Sequence, residues 1–262
     1  MRRMRGLILS ISCGCCLMLS AQQPNSTAAL LLAFKSANVQ QRMDAYENLK
    51  KDQEALKRSD VQAALMDLLD RENRLIHGVT VVDRGEGYAE YVAELVDTVA
   101  ATADWHDPRQ ACILAEAPYN PESKFADELA VKGGSGLAPC LLKIAEGDIY
   151  GRQDSREVLE TYRQQVIPVM VHLEAISPDL SPAMRTQLRQ AITSGLRNSV
   201  GVRQPTVEAL GRFGTAEWIP MLEDIARSDP QSRMLANGER RFDVREAAAK
   251  AVRSIHDRVQ NR

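Results

Sequence analysis

The fold is decided by a short stretch, Trp218-Ile219-Pro220-Met221-Leu222, which occurs in three related forms along the chain. In each form a proline stands two residues after the first apolar position, and apolar residues then recur at intervals of three and four. This spacing places the apolar side chains on one face of an α-helix. We therefore predict an amphipathic helix at each stretch. The other two forms are Leu137-Ala138-Pro139-Cys140-Leu141 and Val166-Ile167-Pro168-Val169-Met170.

Fixed offsets relate larger parts of the sequence. A shift of 42 residues aligns Val202-Arg203 with Val244-Arg245, and a shift of 81 residues superimposes seven identical residues. These seven are Leu129, Gly133, Pro139, Leu141, Ile144, Ala145 and Asp148, which recur as Leu210, Gly214, Pro220, Leu222, Ile225, Ala226 and Asp229. A unit of about 40 residues with two helices explains both shifts, and such units bury their apolar faces only against their neighbours. The sequence thus predicts an all-α fold, an α-solenoid of about five to six stacked antiparallel helix pairs.

The connections between helices carry recognisable signals. Asp107-Pro108 and Asp229-Pro230 each follow an apolar stripe, and Asp148 holds the matching place in its own unit. An aspartate can cap the helix that follows, whereas proline cannot continue the preceding helix. Ser181-Pro182 predicts another helix start. The one strand-like piece, Val79-Thr80-Val81-Val82, is too short to found a sheet and is expected to be an extended connection.

The second half of the chain resembles a known repeat family. Val202-Arg203-x-x-x-Val207-x-Ala209-Leu210-Gly211-x-Phe213-Gly214, followed by Trp218-Ile219-Pro220-Met221-Leu222, resembles a HEAT repeat. It is similar in particular to the HEAT-like units of phycobilisome-lyase-type proteins. Asp243-Val244-Arg245-Glu246-Ala247-Ala248 resembles the second helix of a further unit. The resemblance is clearest over residues 122–255.

The resemblance implies a division of the chain and a structural role for three residues. Residues 22–121 are expected to form a degenerate HEAT-like helical region, and residues 122–262 a HEAT-like repeat region with a C-terminal cap. Within HEAT families, an aspartate before the second helix and an arginine inside it form a ladder of hydrogen bonds between units. By resemblance, Asp243, Arg203 and Arg245 take these roles. Arg253 stands where the preceding unit has Gly211, which suits a terminal unit that no helix follows.

The beginning of the sequence predicts export. Arg2, Arg3 and Arg5 precede an apolar run over residues 6–20 and a polar break after Ala21. A basic region, a short apolar core and a small residue at the break are typical of a secretory signal peptide. Residues 1–21 are therefore expected to be removed and the mature chain to be periplasmic or secreted. Lipid attachment at Cys13 is an alternative, less well matched because Ser10 stands where Leu or Val is expected. No later stretch is long or apolar enough to predict a membrane span.

Two cysteines remain after the leader, Cys112 and Cys140. In an oxidising compartment they could form a disulfide. Cys140 also occupies an apolar position of the repeat, where a small core residue without a partner is an equally simple explanation. Spacing alone does not decide between the two, because it does not place the sulfur atoms within bonding range.

No pattern in the sequence points to catalysis, a metal ion or a cofactor. None of the four histidines lies within four residues of another, and His172 is expected on a solvated helix face. Trp105-His106-Asp107 is the densest polar cluster, but in a repeat turn Asp caps and Trp packs. Gly133-Gly134-Ser135-Gly136 lacks the Gly-Lys-Ser/Thr ending of a phosphate loop and is expected to be a linker. We therefore assign no catalytic residue and no metal ligand, and expect no cofactor.

Charge is distributed unevenly along the chain. Residues 22–180 carry 16 Lys and Arg against 26 Asp and Glu, a net charge of −10, whereas residues 181–262 carry 14 against 9, a net charge of +5. Such polarity can steer an acidic partner towards the C-terminal units. Arg212, Lys250 and Arg253 are candidates for the contact, although the sequence favours the simpler explanation that they are ordinary solvated charges. The negative net charge after the leader and the scarcity of aromatic residues argue against nucleic acid.

Two classes of function are compatible with these patterns. The first, which the sequence favours, is a non-catalytic scaffold or adaptor in the cell envelope that binds a protein partner through a helical surface, with an acidic partner suggested by the charge distribution. The second is an enzyme or a cofactor-handling protein, by analogy with lyases that contain HEAT-like units. Fold alone does not choose between them.

Overall fold

The structure, a computed structural model, describes residues 26–77, 86–120, 123–149, 152–153 and 156–261. The expected signal peptide with Cys13, and the extended connection Val79-Thr80-Val81-Val82, lie outside the described residues. The prediction of an all-α fold is confirmed, since the described part of the chain is mainly helical and its strands form two hairpins of two-residue strands. None of the described helices has both the length and the apolar character needed to cross a bilayer.

Seven helices occupy the described residues before position 147. They are α1 (Thr27–Ala33), α2 (Val39–Leu49), α3 (Ser59–His77), α4 (Tyr88–Thr102), α5 (Pro108–Glu116), α6 (Lys124–Gly133) and α7 (Ala138–Glu146), with short 3-10 turns at Ala55–Lys57 and Gly134–Leu137. Polar residues begin several of them. Asp107 caps α5 as predicted, because its carboxylate accepts the backbone N–H of Arg109 at 2.9 Å.

The remaining elements follow a regular order. They are the antiparallel strands β1 (Asp148–Ile149) and β2 (Arg152–Gln153), α8 (Arg156–Ile176), α9 (Pro182–Arg197), α10 (Val200–Phe213), a 3-10 turn (Ala216–Trp218), α11 (Ile219–Ser228), the antiparallel strands β3 (Arg233–Met234) and β4 (Arg240–Arg241), and α12 (Asp243–Gln260). Ser181 caps α9 and Pro182 occupies its first turn, as the Ser-Pro signal predicts.

The helices contact one another in an ordered series. Consecutive helices pack in pairs, namely α1 with α2, α3 with α4, α5 with α6, α7 with α8, α9 with α10 and α11 with α12. Helices two positions apart also pack together: α3, α5, α7 and α9 form one series, and α6, α8, α10 and α12 form a second. In the second series α10 packs against both α8 and α12.

The residues related by the 81-residue shift adopt the same local structure. Pro139 and Pro220 both lie in the first turn of a helix, α7 and α11, and each helix follows a 3-10 turn. A two-stranded hairpin follows each of these helices. Leu141 and Leu222 are completely buried, and burial of a leucine stabilises a fold by roughly 1.5–3 kcal/mol. The repeat seen in the sequence is therefore also a repeat of local structure.

The third proline stretch behaves differently. Pro168 lies inside α8, which runs without a break from Arg156 to Ile176. Every residue of α8 from Val166 to Glu174 is buried, because α6, α7, α9 and α10 all pack against the helix. The prediction of an amphipathic helix with one solvated face is wrong here, since α8 has no solvated side at its centre.

Two aspartates expected as helix caps have other positions. Asp148 lies in β1, and Asp229 follows the last residue of α11. Neither precedes a helix directly, because Asp148 begins one hairpin and a second hairpin lies between Asp229 and the next helix. The Asp229 carboxylate instead accepts the backbone N–H of Gln231 at 2.9 Å and binds Arg203 of α10.

Candidate binding groove

A groove of about 910 Å³ runs between α10 and α12, and Pro168 of α8 and Arg241 of β4 also line it. Its lining includes Arg212, Lys250 and Arg253, the three cations selected from the sequence. The structure therefore brings these residues together on one concave surface. We call this surface the basic groove. The rings of Pro168 and Pro205, each inside a helix, contribute apolar surface to it.

Close approach of α10 and α12 shapes the floor of the basic groove. A Cβ atom on Gly211 would lie 3.1 Å from both the Cα and the Cβ of Ala251. The two helices can come this near only because residue 211 has no side chain. Small residues line this side of α12, and they leave the space that the groove occupies. They are Ala247, Ala249 and Ala251.

The carboxylates of the basic groove are already engaged. Asp243 accepts hydrogen bonds from Arg233 at 2.6 Å and from Arg241 at 2.8 Å. Arg241 also binds Glu246 at 3.1 Å. Glu208, the remaining carboxylate of the lining, accepts a hydrogen bond from Gln204 at 2.9 Å.

The cations of the basic groove are only partly neutralised. Arg212 binds Asp127 of α6 at 2.7 Å, and its guanidinium lies 4.6 Å from the centre of the Phe213 ring. Lys250 and Arg253 are exposed, three residues apart on α12, and no described carboxylate lies within ion-pair distance of either. The groove therefore offers two unmatched positive charges, on Lys250 and Arg253, beside the paired cations Arg212 and Arg241.

His172 is buried and does not lie on a solvated helix face, so its predicted position is wrong. Its imidazole is buried and stacked on the Phe213 ring, with 3.7 Å between ring centres and an angle of 6° between planes. Nδ1 is 3.7 Å from the Asp127 carboxylate and has no hydrogen-bond partner among the described residues. Burial lowers the pKa of His172, and Arg212 acts in the same direction while Asp127 opposes it.

Two of the three expected ladder residues, Arg203 and Arg245, bind the same aspartate, which is not Asp243. Arg203 binds the Asp229 carboxylate at 2.5 Å and the backbone carbonyl of Leu196 at 2.9 Å. Arg245 donates to the backbone carbonyl of Asp229 at 2.5 Å. The two arginines therefore meet at Asp229, whereas Asp243 is occupied by Arg233 and Arg241. The resemblance selected the arginines of this junction, but its carboxylate comes from the residue after α11.

Cys112 of α5 and Cys140 of α7 form a disulfide, with 5.6 Å between their Cα atoms. Of the two explanations that the sequence left open, the structure contains the covalent pair. Glu116 lies close enough to the two sulfur atoms to form a three-residue group of metal-ligand types. Cysteine binds a metal ion as a thiolate. In the disulfide the two sulfur atoms are bonded to each other, so neither is a thiolate ligand.

Trp105-His106-Asp107 forms the expected turn before α5. The indole N–H of Trp105 donates to the carbonyl of Ala100 at 3.3 Å, and its ring packs against Phe125 with 6.5 Å between centres. Lys132 lies 5.3 Å above the same ring. The glycine-rich segment lines a second cavity of about 370 Å³ next to this turn.

Buried ion pairs were not anticipated from the sequence. Arg42 and Glu72 are completely buried and bind through two hydrogen bonds of 2.6 and 3.1 Å. The hydroxyls of Tyr88 and Tyr91 donate to the same carboxylate. On α8, the buried Glu174 accepts from Arg185 and Arg189. A charged residue at an apolar position of a helical stripe is the signal that could have identified them.

The chain matches no protein-family model, and neither curated proteins nor solved structures gave a match. The basic groove and its surroundings therefore have to be interpreted from their own chemistry.

Proposed function

We propose that this chain is an exported, non-catalytic scaffold or adaptor that binds an acidic protein partner in the basic groove. One observation carries the proposal: Lys250 and Arg253 stand unmatched beside Arg212 on a concave surface. Unpaired cations at the rim of a binding site accelerate association with acidic partners and select against basic ones.

The pairing of helices supports the proposal of an α-solenoid of HEAT type. Six consecutive helix pairs correspond in number to the five to six units expected from the sequence. Stacked pairs in solenoids create extended concave surfaces, which are the usual binding sites of such proteins. The basic groove lies on the series formed by α8, α10 and α12, where stacking is most continuous.

The disulfide supports export to an oxidising compartment. Disulfides persist in secreted and periplasmic proteins and are reduced in most cytosols. Together with the leader predicted over residues 1–21, the bond between Cys112 and Cys140 favours a periplasmic or secreted mature chain.

The test is binding of a short fluorescein-labelled peptide of alternating glutamate and alanine, measured by fluorescence anisotropy. We expect wild-type protein to bind it at low salt, and the K250E/R253E variant to bind at least about tenfold more weakly, because two attractions become repulsions. The matched control is R197E/R227E, which makes the same charge change at exposed positions of α9 and α11 outside the groove. Equal peptide binding by K250E/R253E and wild type would exclude the basic groove as the site.

A further inference from the structure

The first half of the chain carries a surface whose charge is opposite to that of the basic groove. On α4, Glu90, Glu94 and Asp97 are exposed and follow one another at intervals of four and three residues. This spacing places them on one side of the helix over a length of about 10 Å. We call these three residues the acidic face.

The acidic face is only partly neutralised by its surroundings. Glu94 binds Lys50, the residue that follows α2, and Lys50 also binds Glu47 at 3.0 Å. No described cation lies within ion-pair distance of Glu90 or Asp97. The helix α4 therefore carries two carboxylates without an ion-pair partner, equal in number and opposite in charge to Lys250 and Arg253 on α12.

We propose that the basic groove binds the acidic face of a second copy of this chain, so that copies associate head to tail. The proposal rests on the proposed function of the groove and names its partner. Both surfaces belong to one polypeptide, so the basic groove and the acidic face are always present at equal concentrations. The asymmetric charge of the chain, −10 over residues 22–180 and +5 over residues 181–262, favours the same orientation over long distances.

The geometry of the association follows from the location of the two surfaces. They lie on different elements, α4 in one and α10 with α12 in the other, so a contact between copies is heterologous and leaves one free surface at each end. Net negative charge opposes side-by-side contacts, whereas the head-to-tail contact places unlike charges together. Exposed ion pairs are individually weak. The association is therefore weak and sensitive to salt.

Sedimentation velocity of the full mature chain tests the proposal at protein concentrations up to about 0.5 mM. We expect wild type to associate in about 10 mM salt, where charges act over about 30 Å, and to dissociate in about 1 M salt. The groove variant K250E/R253E and the face variant E90K/D97K are each expected to lose association at least about tenfold. Their matched controls, R197E/R227E and E223K/D224K, change exposed residues outside both surfaces and are expected to associate as wild type does.

A mixture of the two reversed variants gives the decisive result. Each variant alone places like charges at the contact, but the mixture joins an intact acidic face to an intact basic groove and, at the other junction, a reversed face to a reversed groove. Association is therefore expected to return on mixing. A wild-type chain that stays monomeric in low salt, or a mixture that stays monomeric, would overturn head-to-tail association. In that case, peptide binding that K250E/R253E still abolishes would leave the proposed function of the groove intact.

Discussion

The imidazole of His172 lies among groups contributed by two neighbouring helices. Asp127 comes from α6, and Arg212 and Phe213 come from α10. Burial favours the neutral ring, Asp127 favours the protonated ring, and Arg212 disfavours a second positive charge beside it. This residue connects the packing of α8 directly to a cation of the basic groove.

Because burial lowers the pKa of His172, acid should destabilise the fold. In the unfolded chain the group titrates near 6.5, and in the folded chain it binds its proton only at lower pH. Between the two values the unfolded chain holds more protons, so the free energy of unfolding falls as pH falls below about 6.5. Urea titrations between about pH 7 and 5 should show a flatter pH dependence for H172Q than for wild type, whereas the exposed control H106Q should keep the wild-type slope.

At the level of elements, local sequence signals predict the beginnings of helices well. Pro139, Pro220 and the Ser181-Pro182 pair all lie at helix starts, because proline fits a first turn and serine caps it. The same signal is misleading at Pro168, which lies inside α8. The difference arises from tertiary packing: four surrounding helices bury the centre of α8 and stabilise it through the proline. The spacing of apolar residues predicts which face of a helix is buried, but it does not predict how many other helices pack against that helix.

The contact between α10 and α12 depends on Gly211. A side chain at this position meets the Ala251 backbone at 3.1 Å and must push the helices apart. We expect G211L to lower the free energy of unfolding by about 1–3 kcal/mol, the usual cost of overpacking. G136L is the control, because a Cβ on Gly136 meets nothing within 4 Å. If urea denaturation shows equal stability for G211L and G136L, the close approach does not hold α10 against α12.

For the whole molecule, the sequence predicts the helical class and the 81-residue repeat of local structure, because both depend on patterns within single elements. The three cations selected from the sequence line one groove, because α12 carries two of them in one turn and α10 packs beside it. Ion pairs between residues on different helices could not be predicted from the sequence. Asp229 and not Asp243 joins Arg203 to Arg245, and Arg42 meets Glu72, because such pairs depend on how helices distant in sequence are placed.

The disulfide between Cys112 and Cys140 constrains the whole molecule, since it links α5 to α7 across the connection through α6. The bond closes a loop of 28 residues, and in the chain-entropy model a loop of this length stabilises the folded state by about 3.5 kcal/mol. We expect the C112A/C140A variant to lose stability by this order in urea denaturation, and wild type to lose a similar amount when a dithiol reductant is added. Reductant should leave C112A/C140A unchanged, which separates loss of the bond from loss of the side chains. Thiol labelling of freshly isolated, denatured and unreduced protein provides an independent check: modification of both cysteines would show that the bond is absent from the native chain.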